Sequence, residues 1–209
     1  MNIAKETHNY VLAHPSIKDS LKKGLINYSK LTRMIISETG LKPRHFDAAV
    51  VALRRIEREL KKKTGFERQI RELLKDTKLQ IKNKVLVCIV EKNIQTDRLL
   101  DVEKEIKDRK GDINIIEGAK AFTLITSQEN EAIIDRYFKN KIIKKNKDLV
   151  EIILQSPESL EEVPGVMGYL YSLFAENAIN IVETMSCWTD TIFVIEEKNI
   201  GKVLEVLNF

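Results

Sequence analysis

Residues 149–196 alternate apolar runs with turn signals in an order that few folds accommodate. Leu149–Leu154 is an apolar run with a single acid, which indicates a strand buried on both faces. Pro164-Gly165 then breaks the chain before the apolar-periodic stretch Val166–Ala175, which predicts a helix. Two strands around a tight turn and a short helix follow, at 179–182, 191–195 and 201–207. This β-α-β-β-α order predicts a split β-α-β unit.

The segment before residue 149 repeats this order with weaker signals. Its clearest strand is 84–90, which contains the continuous apolar run Val85–Val90. The other predicted elements are a helix, two strands, a helix and a short strand, at 96–109, 112–116, 121–126, 129–138 and 141–145. One supersecondary unit that recurs after about 65 residues predicts a tandem pair.

The two copies differ at their first strand-to-helix turn. The second copy has Pro164-Gly165-Val166-Met167 there, whereas the first has Asn93-Ile94-Gln95-Thr96, without glycine. Glycine lets the backbone approach a ligand closely, and the N–H groups of a helix N-terminus bind carboxylates. This favours a site for a small anion in the second copy and a structural role for the first. A second interpretation stays open, in which Pro-Gly only marks a turn and a helix boundary.

The charge distribution divides the chain into a basic front and an acidic back. Residues 1–84 hold 20 Lys or Arg against 9 Asp or Glu, whereas residues 85–209 hold 15 against 22. Such an asymmetry predicts two modules with different partners.

The front segment has the pattern of short helices. Helices are predicted over 17–23, 27–37, 43–60 and 66–74, with Pro43 at the start of the third. A tight turn before the third helix resembles a helix-turn-helix or winged-helix module, whose third helix enters the DNA major groove. Base edges would then face Arg44, and phosphates would face Arg54, Arg55 and Arg58. The alternative is a helical module for docking to a protein or for dimerisation.

Composition and missing motifs argue against several classes of protein. A content of 43% hydrophobic and 32% charged residues is typical of a globular chain. No apolar run reaches the roughly 20 residues that span a bilayer, and no export signal precedes the fold, so we expect a cytoplasmic protein without a membrane partner. Cys88 and Cys187 are too isolated for a metal site or a disulfide framework. Without a nucleophile elbow, a phosphate-binding glycine loop or a metal motif, we expect neither an enzyme nor a cofactor.

Several short motifs between residues 149 and 207 follow one another in a recognisable order. They are Glu162-Val163-Pro164-Gly165-Val166-Met167, Leu173-Phe174-Ala175, Asn180-Ile181 and Phe193-Val194-Ile195. This set resembles an ACT domain, most closely in the regulatory half of aspartate kinases, where two such domains pack together. Residues 84–147 match by topology only. The segments 26–31 and 48–55 are similar to small, largely archaeal ACT proteins regarded as regulators of amino-acid metabolism.

The resemblance implies an α+β chain in three parts. These are a helical module over residues 1–76, a degenerate ACT-like unit over 77–147 and an ACT unit with the ligand turn over 148–209. Both units would have the ferredoxin-like βαββαβ order, but the last strand of the second unit is missing from its expected place. That sheet edge is either open or filled by Lys141–Lys145 or by Thr77–Ile81.

The resemblance also implies a ligand site and a role. In the family, an amino acid lies between the Pro-Gly turn of one domain and a partner domain, and an asparagine at the entry to the second strand adds polar contacts. Carried over to this chain, the ligand-binding residues are Pro164, Gly165, Val166, Met167, Ile179 and Asn180.

The implied role is a non-enzymatic regulator of amino-acid metabolism that binds a small effector, an amino acid. Because ACT sheets pair side by side, we expect a homodimer or a higher homo-oligomer, with DNA or a target enzyme contacted through residues 1–76. Two alternatives stay open. The chain is a DNA-binding transcriptional regulator, or it is an assembly subunit that uses its repeats only for oligomerisation.

Overall fold

The computed structural model describes residues 2–62 and 66–209, which form two compact units divided after residue 65. The described N-terminal unit contains four α-helices: α1 Ile3–Ala13, α2 Pro15–Lys22, α3 Tyr28–Glu38 and α4 Phe46–Lys62. The side chain of Asn27 caps α3 by accepting the N–H of Lys30 at 3.0 Å, and Pro43 starts a 3-10 turn before α4.

One apolar core holds these four helices together. Leu53, Ile56 and Leu60 of α4 lie in it. Tyr10 and Val11 of α1 complete the core, although the sequence prediction assigned no separate helix to residues 3–13. Few apolar residues precede Tyr10, and the polar Thr7 takes a buried position there, so the apolar periodicity of this helix is weak.

The second unit begins with α5, Glu67–Lys75. The sequence grouped residues 66–76 with the front module, but α5 belongs to the second unit. Its buried residues Ile70, Leu73 and Leu74 pack in one core with Val150 and Leu170. The predicted module boundary was wrong for α5 because an apolar stripe shows only that a helix is buried. It does not show which other elements the helix packs against.

The rest of the second unit alternates strands and helices, which confirms the α+β prediction. The strands are β1 Lys78–Glu91, β2 Ile113–Glu117, β3 Ala121–Ser127, β4 Ile142–Gln155, β5 Ile181–Cys187 and β6 Asp190–Glu196. The helices are α6 Thr96–Asp108, α7 Glu131–Phe138, α8 Val166–Glu176 and α9 Ile200–Val206. All neighbouring strands are antiparallel, in the order β2-β3-β1-β4-β6-β5.

The two central strands are each shared between the two βαββαβ units. The end of β1 pairs with β3 and the end of β4 pairs with β6, as each unit requires. The beginning of β1, Lys78–Lys82, also pairs with Glu151–Gln155 and supplies the last strand of the second unit. This confirms the alternative in which Thr77–Ile81 fills that edge. Lys141–Lys145, predicted as a short strand, overlaps the start of the longer β4, which closes the first unit.

A pair of left-handed residues marks where each central strand passes from one unit to the other. Lys84 has φ 53° and Asp148 has φ 55°, and the register between β1 and β4 shifts beside them. Val85 lies directly opposite Leu149 at this point. The two halves of the sheet are therefore related by an approximate two-fold repeat about the Val85–Leu149 pair.

Apolar side chains cover both faces of the sheet near this point. One face packs against helices in two cores, one containing Phe174 and Phe193 and the other Phe138 and Leu124. A smaller core lies on strand residues alone and consists of Val85, Val87, Ile125, Leu149 and Val194. Across residues 2–62 and 66–209, no helix combines the length and the apolar character that a membrane crossing needs.

Candidate functional site

The connection from β4 to α8 places a glycine at the N-terminus of the helix. Gly165 is the N-cap of α8 and has φ 93° and ψ 0°, a left-handed conformation that glycine adopts without Cβ strain. Its carbonyl oxygen accepts the N–H of Tyr169 at 2.9 Å and so begins the helix. Pro164-Gly165 therefore forms the bend that the sequence predicted.

The first amides of α8 have no side-chain cap. Backbone N–H groups in the first turn of a helix lack an intrahelical acceptor and carry partial positive charge. Pro164 and Gly165 are exposed, while Val166 is buried in the core beneath them. Met167 packs against that core, and its Sδ accepts a hydrogen bond from Thr191 Oγ1 at 3.7 Å. The arrangement can hold a carboxylate through backbone N–H groups.

The two other predicted ligand residues lie at the opposite end of α8. Ile179 is buried, and its N–H donates to the carbonyl oxygen of Phe174 at 2.9 Å. Asn180 is exposed and lines two open grooves of about 500 and 480 Å³. The 11 residues of α8 give it a length of about 16 Å, at 1.5 Å per residue, with Gly165 before its first residue and Asn180 after its last. Within one chain, the structure brings Pro164 to Met167 together but does not bring Asn180 to them.

The four arginines predicted to contact DNA are all exposed on the N-terminal unit. Arg44 Nε lies 3.3 Å from His45 Nε2, and Arg55 Nε lies 3.1 Å from Glu59 Oε1. Arg54 stacks over the Tyr28 ring at 5.7 Å, and Arg58 Nε donates to the Arg54 carbonyl oxygen at 3.4 Å. Within the part of the chain that the structure describes, Arg54 and Arg58 form no ion pair with a carboxylate.

A charged group that sequence analysis did not select lies in the middle of the sheet. Glu151 on β4 is 4% exposed, and Lys82 lies directly opposite it on β1. Burial raises the pKa of the Glu151 carboxyl, although attraction to Lys82 opposes the shift. A lone acid inside an apolar strand could have identified Glu151 from the sequence, but nothing in the pattern indicated Lys82 as its partner.

No protein-family model matches the sequence, and no curated protein matches it. Among solved structures, the chain is similar to the aspartate kinase of Clostridium acetobutylicum, with 12% identity and a TM-score of 0.53 over 62% of this chain and 33% of that one. It is also similar to the ligand-free regulatory subunit of aspartate kinase from Thermus thermophilus, with 11% identity and a TM-score of 0.50. That match covers 62% of this chain and 92% of the subunit.

The matched region thus spans about a third of the Clostridium enzyme but nearly all of the Thermus regulatory subunit. At these identities the likeness concerns the fold. The sequence motifs had indicated the same relationship, and the matched part of the chain has the fold of the regulatory, ACT-containing domains of aspartate kinases.

Proposed function

We propose that this protein is a non-enzymatic regulator of amino-acid metabolism that binds an amino acid at the Pro164-Gly165 turn. The observation that carries the proposal is the exposed, left-handed Gly165, which leaves the first amides of α8 without a side-chain cap. These amides suit the carboxylate of the effector. The aspartate kinase of Clostridium acetobutylicum, whose fold this chain shares in part, is an allosteric enzyme.

The position of Asn180 requires a second copy of the chain at this site. Asn180 and Gly165 lie at opposite ends of α8, so one effector contacts both only where two copies meet. β5 follows Asn180 and is an edge strand of the sheet, and unpaired edges favour pairing with another chain. An antiparallel β5–β5 arrangement would bring Asn180 of one copy toward the Gly165 turn of the other. We therefore propose a homodimer with effector sites at its interface.

Binding at such an interface regulates by shifting a population. An effector that contacts both copies stabilises the paired arrangement in proportion to its differential affinity for that arrangement. The basic N-terminal unit would then transmit the change to a target enzyme or to DNA.

A thermal-shift screen of the full chain against the twenty amino acids tests the effector site. One amino acid should raise the melting temperature by several degrees at 100 times its Kd, because binding then adds about 2.7 kcal/mol. Gly165→Val and Asn180→Ala should each abolish the shift, whereas Gly201→Ala on α9 should retain it. If no amino acid shifts the melting temperature of a chain that still self-associates, the repeats serve assembly alone.

Light scattering tests the homodimer. One chain has a mass of 24.1 kDa. At micromolar concentration and in the presence of the effector, light scattering should measure twice this mass. A mass of 24.1 kDa with and without a bound amino acid would contradict a site shared between two copies.

A DNA-binding regulator is the second candidate function, and the unpaired arginines of α4 favour it. Arg54 and Arg58 are exposed and form no ion pair in the described residues, so they are available to phosphates. Affinity for duplex DNA, measured by fluorescence anisotropy, should fall steeply with salt. Arg54→Ala and Arg58→Ala should each reduce the slope of log K against log salt by about 1.

Arg55→Ala is the matched control, because Arg55 is already paired with Glu59 and should contribute less to the slope. If duplex DNA does not bind at low salt, the basic surface is a docking surface for a protein.

A further inference from the structure

A partly open cavity, lined mainly by polar residues, lies beside Glu151, within a single chain and apart from the Pro164-Gly165 turn. Its volume is about 250 Å³. Drug-sized ligands occupy pockets of about 300–1,000 Å³, so this cavity suits a smaller molecule. Polar residues that line it are Lys82, Asn83, Lys110, Asp112, Asn114 and Ser127.

The carboxylate of Glu151 is buried without a hydrogen bond from a charged group. Among the described residues its charged partner is Lys82, whose Nζ lies 3.7 Å from Oε1, beyond hydrogen-bond distance. The same Nζ donates a hydrogen bond to Asp112 Oδ2 at 2.9 Å. One ammonium group thus serves two carboxylates, and its hydrogen bond goes to Asp112. The Glu151 carboxylate, which lines the cavity, can therefore still accept a hydrogen bond from a ligand there.

The fold itself does not require a carboxylate at this position. Lys82 lies three residues before Val85 on β1, and its partner Glu151 lies two residues after Leu149 on β4. The two-fold repeat about Val85 and Leu149 relates this pair to Asn146 and Val87, which also lie opposite each other. Val87 is fully buried, so the equivalent place in the other half of the sheet is filled by an apolar side chain.

The wall of the cavity opposite Glu151 is held by packing and hydrogen bonds. Thr126 Oγ1 donates to the carbonyl oxygen of Asp112 at 2.6 Å and accepts from Asn130 Nδ2 at 2.9 Å. A Cβ on Gly111 would lie 2.9 Å from Ile106 Cγ2, so only glycine fits there. The turn that carries Asp112 is thus fixed relative to the sheet, as a preorganised binding site requires.

The charges around the cavity favour a ligand that carries an ammonium group. Glu151, Asp112 and Glu129 line it with Lys82 and Lys110, which leaves an excess of one negative charge. We propose that this cavity binds a small ammonium-bearing molecule, an amino acid or a diamine, whose ammonium group donates hydrogen bonds to the Glu151 carboxylate. An amino acid would place its carboxylate toward Lys82 and Lys110, whereas a diamine would place its second ammonium toward Asp112.

Calorimetric titration of the full chain with glycine, L-lysine and 1,4-diaminobutane tests this site. At least one of the three should bind, and N-acetylglycine, which lacks the ammonium group, should not. Glu151→Gln keeps the shape of the side chain but should weaken binding about tenfold or more, because a hydrogen bond to a charged group is lost. Glycine or lysine binding indicates an amino acid, and binding of the diamine alone indicates a polyamine.

Control variants separate this site from the interface site proposed above. Glu183→Gln removes another carboxylate whose pKa burial raises, on β5, and should leave the affinity unchanged. Asn180→Ala should also leave it unchanged, because Asn180 belongs to the interface site. Should Glu151→Gln not fold, Glu151→Val reproduces the residue found at the equivalent position and serves instead. The proposal is overturned if none of the three molecules binds, if Glu151→Gln binds as wild type, or if Asn180→Ala abolishes binding.

Discussion

Ile70 Cδ1 lies 3.6 Å from the position that a Cβ atom on Gly165 would occupy. This is an ordinary van der Waals distance, so α5 supports the turn from below without excluding a methyl group. The constraint at Gly165 is therefore its backbone conformation, with φ 93°, and not the space around it.

Gly165→Ala should destabilise the fold, and Gly168→Ala should not. An alanine at positive φ costs about 1–2 kcal/mol in the free energy of unfolding. Gly168 lies inside α8 with no atom within 4 Å of a built Cβ, so alanine there should stabilise by about 0.5–1 kcal/mol. Urea unfolding followed by circular dichroism measures both. Equal effects at the two glycines would show that the left-handed conformation of Gly165 is not a constraint.

Glu151→Gln should change how stability depends on pH. Burial raises the folded-state pKa of Glu151 above its ordinary value of 4.5, so the folded chain binds this proton more tightly than the unfolded chain. The contribution of Glu151 to stability therefore falls as pH rises from 4.5 through the folded pKa. The melting temperature of the variant, relative to that of wild type, should therefore rise between pH 4.5 and the folded-state pKa. Above that pKa the difference should stay constant.

A carboxylate with the opposite shift provides the control for that experiment. The hydrogen bond from Arg136 is the main cause that lowers the pKa of Glu105, to which Tyr137 also donates a hydrogen bond. Its contribution is present above pH 4.5 and is lost as pH falls through the folded pKa. Glu105→Gln should therefore lose stability relative to wild type as pH rises. The same sign for both variants would contradict the assigned environments.

Leu74→Ala should destabilise the sheet unit through α5. Leu74 is 1% exposed and packs in the core with Phe174 and Phe193, so the substitution should cost about 2–5 kcal/mol. Leu79→Ala on β1 is the matched control, because Leu79 is 39% exposed and should lose far less. Thermal unfolding measures both variants. If Leu74→Ala loses no more stability than Leu79→Ala, the packing of α5 in this core is contradicted.

The two cysteines should react with thiol reagents at very different rates. Cys187 is exposed near the end of the β5–β6 hairpin, whereas Cys88 is fully buried and burial raises the pKa of its thiol to about 11. The thiolate is the reactive form, so one thiol per chain should react with a disulfide reagent under native conditions. Cys187→Ser should show no rapid reaction until denaturant is added. Rapid labelling of that variant without denaturant would contradict the burial of Cys88.

Much of the local structure follows from short stretches of sequence. The structure confirms the apolar run 149–154 as part of β4 and the periodic stretch 166–175 as α8. Both could be predicted because the pattern of buried residues in each depends only on residues close together in the chain. Pro164-Gly165 predicted a turn before the helix, and the structure gives Gly165 the positive φ that glycine adopts most readily. The ligand contacts assigned to this turn and to Asn180 remain predictions.

The structure decided relationships that depend on residues far apart in the chain. Lys78–Lys82 alternates polar and apolar residues, which is compatible with a strand, but its place beside Glu151–Gln155 comes from hydrogen bonds between distant segments. The same pairing brings Lys82 to Glu151 and creates the polar cavity between them.

The sequence alone thus determined most of the helices and strands, though not α1, together with the bend at Gly165 and the ACT-like order of the second unit. Tertiary structure alone decided that the two units share their central strands and that α5 belongs to the sheet. The reason is physical. Periodicity shows that a side chain is buried, but the partner that buries it is selected by long-range packing and strand register.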